Sequence, residues 1–113
     1  VAGAADIHAA REAASRIEVA PAVMAYLVDV CRATRTSPAV RLGVSPRGAT
    51  SLLRTARVWA FLQGRGFVTP DDVKTMAPST LAHRLGLRAE ANLEGITAVN
   101  VISGVLAATP VPR

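Results

Sequence analysis

The sequence is short of several residue types, and each shortage narrows what the chain can be. One cysteine in 113 residues excludes an internal disulfide framework and a zinc site built on cysteines. A lone thiol agrees with a reducing compartment, so a cytoplasmic location is expected. Aromatic residues make up only 4%. The two histidines, His8 and His83, lie far apart with no second ligand beside either, so no metal site is expected. No apolar run approaches the roughly 20 residues of a membrane-spanning helix, and no membrane partner is expected. Lysine is nearly missing: of 13 basic residues, Lys74 alone is not arginine. The opening Val1-Ala2-Gly3-Ala4-Ala5 has neither an initiator methionine nor the basic flank of a signal peptide, and reads as the edge of a piece of a longer protein.

Half of the residues are apolar and 19% are charged, enough to build a core, and the length suits one domain over 1–113. The formal net charge is +5. Guanidinium groups suit phosphates because their planar fork donates two parallel hydrogen bonds. An anionic partner would explain the arginines, and so would the residue usage of a GC-rich genome.

Helical periodicity dominates the chain. Asp6 to Ile17 is rich in good helix formers, with Asp6 placed to cap its start. Pro21 opens a second helix with Met24, Leu27, Val28 and Cys31 on one stripe, widened by Val23, Tyr26 and Val30. Thr36-Ser37-Pro38 ends it, and a loop leads to Gly43. A third helix from Pro46 to Gln63 buries Ala49, Leu52, Leu53, Ala56, Trp59 and Ala60. Because Val58, Phe61 and Leu62 are also apolar, its second half is expected inside the bundle.

Gly64 stops that helix, and Phe67-Val68 reads as a short extended piece. Thr69-Pro70-Asp71-Asp72 opens the next helix, with Val68 and Val73 spaced as a hydrophobic staple and Asp72 at the capping-box position. Pro78 is expected to break this helix and start another through Leu81 and Leu85. Gly86 to Gly95 reads as loop. Thr97 to Ala107 forms the last helix, burying Val99, Ile102, Val105 and Leu106, and the tail Pro110-Val111-Pro112-Arg113 cannot continue it. The fold class is all-α, a small bundle of five or six helices.

Two of these helix starts share one plan but differ in charge. A helix start carries about half a positive charge and several unpaired N–H groups. Asp71 and Asp72 neutralise one such end internally. At Ser45-Pro46-Arg47-Gly48 the first turn instead holds a cation and no acid, and Gly48 adds a backbone-entropy cost of about 0.5–1 kcal/mol relative to alanine. An external anion, phosphate above all, would compensate both costs, with the amides, the dipole and the Arg47 guanidinium all facing it. The alternative is that Arg47 bends away to pair with Asp29, Glu90 or Glu94.

The ordered run Leu42-Gly43-Val44-Ser45-Pro46-Arg47-Gly48, the apolar helix after it, Gly64-Arg65-Gly66-Phe67-Val68-Thr69-Pro70-Asp71-Asp72-Val73 and Ala77-Pro78 resembles the C-terminal lid of MoxR-type AAA+ ATPases. Tyr26-Leu27-Val28 and Ala33-Thr34-Arg35 are similar to that lid's first helix-pair signature. The likeness spans nearly the whole chain and is strongest from Val19 to Leu85. Gly48 departs from the family's usual alanine, and Gly66 from a common acidic residue.

The resemblance implies that the phosphate-binding loop, the Mg2+-holding acids and the arginine finger belong to a preceding α/β domain. The chain itself has no G-x-x-x-x-G-K-[ST] motif, so alone it is no enzyme. Arg47 occupies the second-sensor position, with Ser45, Pro46 and Gly48 shaping the turn that binds the γ-phosphate of ATP. The implied partners are the chain's own N-terminal ATPase domain, neighbouring subunits of a homo-oligomeric ring and a von Willebrand factor A domain protein. The implied role is chaperone-like maturation of other proteins.

Other residues read more plainly. Trp59 belongs to the core and Cys31 is a small buried hydrophobe, while Arg54 and Arg57 read as a solvated face or local salt bridges, with an extended phosphate surface or a contact to a neighbouring subunit as the alternative. Arg65, between two glycines, is expected to be exposed and able to reach a partner, although turn chemistry alone explains the glycines. Asp71 and Asp72 diverge by about 100° around the helix and cap it rather than catalyse. Two alternatives stay beside the lid reading: a basic helical module binding nucleic acid, which the sparse aromatics and the lack of a continuous basic helix face disfavour, and a protein-interaction domain without a nucleotide role.

Overall fold

In the computed structural model, which describes residues 3–112, six helices and a two-stranded ribbon follow one another. They are α1 (Ala4–Ser15), α2 (Pro21–Thr36), β1 (Val40–Leu42), α3 (Pro46–Leu62), α4 (Pro70–Leu81), β2 (Gly86–Leu87), α5 (Ala89–Leu93) and α6 (Ala98–Ala108), with a 3₁₀ turn at Ala82–Arg84 after α4. The expectations about Val1-Ala2 and Arg113 lie outside the described residues. No helix is long and apolar enough to cross a membrane among the described residues.

The all-α bundle is confirmed, and α3 is its organising element, packed against α1, α2 and α4. Leu52, Ala56 and Ala60 of α3 meet Val73, Ala77 and Leu81 of α4, all fully buried. The alanines at these contacts let the two backbones approach closely. One polar link crosses the same seam, a 3.0 Å bond between the Thr55 and Thr80 hydroxyls. Tyr26, Leu27 and Val30 of α2 and Ile102 of α6 close the core.

Helix boundaries follow local chemistry. Thr69 Oγ1 accepts from the Asp72 amide while Asp72 Oδ2 accepts from the Thr69 amide, closing the capping box, and Val68 and Val73 are both buried at the staple positions. Gly64, after α3, adopts φ of 77°, a conformation that side chains with a Cβ resist. Phe67 forms a parallel bridge with Glu18, the extended piece expected there. Asp6 sits inside the first turn of α1, not at its cap, and accepts from the Gly3 amide at 3.2 Å.

Several expectations are corrected. Pro78 does not break α4, which runs through it to Leu81. A proline there costs a hydrogen bond and a clash of about 3 kcal/mol, but Val73, Ala77 and Leu81 keep one buried stripe continuous on both sides of it. Gly86 to Gly95 is not loop: it holds β2 and α5. Strand β2 pairs antiparallel with β1, Val40 opposite Leu87 and Leu42 opposite Gly86.

The second half of α3 is not enclosed, since Val58 and Leu62 are exposed and Trp59 is only partly buried. Its core contacts come from one stripe, and the other apolar residues fall outside it. Val99 is likewise exposed, on the open side of α6. In α2 the buried stripe centres on Tyr26, Leu27, Val30, Cys31 and Thr34, leaving Met24 and Val28 at its margin.

Candidate functional site

The first turn of α3 begins where α2 releases the chain. Val44, fully buried, is held at both of its backbone groups by consecutive residues of α2. Its amide donates to Thr34 Oγ1 at 3.0 Å, and its carbonyl accepts from Arg35 Nη2 at 3.1 Å and Nε at 3.3 Å. Thr34 Oγ1 in turn donates to the Cys31 carbonyl at 2.6 Å. Gly43 permits this approach, since a Cβ there would lie 2.5 Å from Arg35 Cγ. Thr34 and Arg35 therefore fix where α3 starts and how its axis points.

Ser45 follows as the N-cap, its Oγ accepting from the Gly48 amide at 3.3 Å, and its carbonyl accepts from the Ala49 amide at 3.1 Å. Pro46, first in the helix, has no N–H to leave unpaired. Arg47 is thus the residue of this turn whose amide has no hydrogen-bond partner among the described residues. Its side chain is exposed and takes part in none of the ion pairs among the described residues, nor do Asp29, Glu90 or Glu94. The alternative pairing inside the bundle is not formed.

Gly48 is buried, and a Cβ on it would meet Val44 Cγ1 at 2.5 Å and Arg84 Cδ at 3.3 Å. Its glycine therefore has a packing reason, so that half of the apparent cost needs no ligand to explain it. Arg84 crosses this turn from the 3₁₀ segment and donates to Ser51 Oγ at 3.1 Å, one turn beyond Arg47. Its Nε is buried without a partner. Three cations, Arg35, Arg47 and Arg84, thus converge on the start of α3 with no carboxylate paired to any of them among the described residues.

The start of α4 is the electrostatic opposite. Asp72 is 1% exposed and receives both arms of the Arg65 guanidinium, Nη1 to Oδ2 at 2.6 Å and Nη2 to Oδ1 at 2.5 Å. Burial pushes the Asp72 carboxyl up, but the bonds from Arg65 and the Thr69 amide outweigh it and hold the group below the ordinary aspartate value. Arg65 is not an exposed reach toward a partner, as the sequence suggested, but an internal clamp on this carboxylate. The glycines flanking it mark the turn that brings it back onto α4.

Among the described residues no group of three or more potential metal ligands comes together. Cys31 is buried, and burial pushes its thiol up to about 11. Sequence reasoning singled out Arg47 but missed the Val44 clamp and Arg84. The signal for the clamp was a buried threonine beside an arginine at a helix end, which spacing alone does not connect to a residue ten positions on.

With this geometry in view, known proteins supply the context. The family model described as an AAA lid domain matches residues 32–105. The chain is 44% identical to the YeaC protein of Bacillus subtilis over 87 residues, 77% of this chain and 27% of that protein. It is 39% identical to the MoxR protein of Methylorubrum extorquens, over 63% of this chain and 24% of that one. With the chaperone MoxR1 of Mycobacterium tuberculosis it shares 32% identity over 96% of this chain and 31% of that protein. The crystal structure of a proposed ATPase from Cytophaga hutchinsonii superposes with a TM-score of 0.90 at 26% identity, covering 96% of this chain and 36% of that one. The chain belongs to the AAA lid family, and its relatives place it among lids of the MoxR type. It spans about a quarter to a third of the length of the curated relatives it matches.

Proposed function

We propose that this chain is the C-terminal lid of a MoxR-type AAA+ ATPase and that Arg47 is its second-sensor arginine, contacting the γ-phosphate of ATP held by a preceding α/β domain. The observation that carries this is the exposed Arg47 on the first turn of α3, its amide without a partner and no carboxylate paired to it among the described residues. Such an arrangement favours an incoming anion, through the dipole and a charge-assisted hydrogen bond together.

In this reading Ser45 caps the helix so that the turn keeps its shape, Pro46 fixes its first φ, and Gly48 lets α3 seat closely on Val44 and Arg84. The guanidinium stabilises charge as the γ-phosphoryl group transfers, and the lid angle follows the nucleotide state because the contact exists only when the triphosphate is present. Mg2+ and the attacking water belong to the preceding domain. The parent works in the cytoplasm as a homo-oligomeric ring, with a chaperone-like role in protein maturation and a von Willebrand factor A domain protein as partner.

The test is Arg47→Ala in the parent ATPase. Losing one transition-state donor lowers ATP turnover on the order of 100-fold, while the melting temperature stays close to that of the unaltered protein because the side chain is exposed. Unchanged turnover overturns the assignment.

A further inference from the structure

A second basic feature lies away from the start of α3. Between α1 and α3 runs a groove of about 680 Å³ lined by Arg11 from one wall and Arg54 and Arg57 from the other, over an apolar floor of Ala14, Leu53 and Val58. That volume falls within the ~300–1,000 Å³ of ligand-binding clefts. No Asp or Glu lines it. The one acid of the adjoining stretch of α1, Glu12, is engaged by His8 at 3.4 Å and Arg16 at 3.7 Å, so it does not balance the groove.

Arg57 Nε is enclosed yet has no hydrogen-bond partner. An enclosed donor of that kind is costly to leave unpaired, and Arg57 itself lines the groove. We infer that the groove between α1 and α3 is a docking surface for an extended acidic peptide segment of a protein partner, its carboxylates on Arg11, Arg54 and Arg57 and its apolar side chains on Ala14, Leu53 and Val58.

Charge selects an anionic occupant, and the floor selects among anions. A polyphosphate would set its charge against three apolar side chains, whereas a peptide alternating acidic and apolar residues satisfies rim and floor together. Val58, exposed and with no place in the core, is accounted for by the same occupant.

The experiment titrates the isotope-labelled chain, at low salt, with a capped six-residue peptide alternating glutamate with leucine or valine. Two comparison probes are the same peptide with glutamine for glutamate and inorganic triphosphate. The acidic peptide shifts amide signals around Arg11–Ser15 and Thr50–Val58, and added salt weakens it. Arg54→Gln, at an exposed side chain that the fold does not need, weakens it on the order of tenfold. Four results would each overturn the proposal: no shifts at millimolar peptide, equal binding of the glutamine peptide, triphosphate binding the same residues as tightly, or an affinity that Arg54→Gln leaves unchanged.

Discussion

Replacing Thr34 with valine removes one hydroxyl from the interior while keeping shape and volume. In the native chain that oxygen accepts from the Val44 amide at 3.0 Å and donates to the Cys31 carbonyl at 2.6 Å. Thr34 and Val44 are both fully buried, so water cannot replace the lost acceptor. Orphaning the Val44 N–H costs about 1–3 kcal/mol, and the added methyl returns about 0.8 kcal/mol of burial. The net loss is about 0.2–2 kcal/mol, a drop in melting temperature of about 1–9 °C for a domain of this size. Thermal unfolding followed by circular dichroism reads the total, and amide hydrogen exchange reads its place. Val44 should lose its protection in Thr34→Val and keep it in Thr34→Ser, where the hydroxyl remains. A Val44 amide equally protected in all three proteins would refute the claim that Thr34 seats the start of α3.

Further outcomes follow from other buried groups. Asp72→Ala should cost about 2–4 kcal/mol, since it removes the capping box and the carboxylate that holds Arg65, as denaturant melts will show. Because the folded-state pKa of Asp72 is lowered, its stabilisation is fully present above the ordinary aspartate value and is lost as pH falls through the lowered one. An acid titration of stability should therefore be flatter in Asp72→Ala than in the parent sequence across the interval between the lowered and the ordinary aspartate value. The Tyr26 hydroxyl is enclosed without a partner, so Tyr26→Phe should leave stability unchanged or raise it by about 1 kcal/mol. Burial, and next the charge of Asp71, push its phenol above the ordinary value, which absorbance titration of the chain's one tyrosine will register as late ionisation. Cys31, pushed up to about 11, should resist thiol reagents at pH 8 until denaturant exposes it.

Much of this architecture was legible because helix signals are local. The Thr69 capping box, the Val68–Val73 staple and the Gly64 stop are each written within a few residues, and each formed as read. What escaped depends on partners distant in sequence. β1 and β2 are three and two residues long, too short for an alternation pattern, and exist because each supplies the other's hydrogen bonds. Pro78 read as a breaker because the local cost is real, while the burial that outweighs it comes from α3 and α6 across the core. At the start of α3 the charge contrast was visible, and Arg47 does stand exposed. The glycine beside it was credited to a ligand when its cause is the Val44 and Arg84 side chains. Arg65 was misjudged for the same reason: flanking glycines announce a turn but not the carboxylate that the turn delivers it to.

The small ribbon has a mechanical corollary. By joining Val40 to Leu87 it shuts α3 and α4 inside one hydrogen-bonded ring of chain. A force that draws the α2 end away from the α5 end must unzip that clasp before the two ends can part. The heart of the domain is thereby shielded from part of any tugging at its flanks.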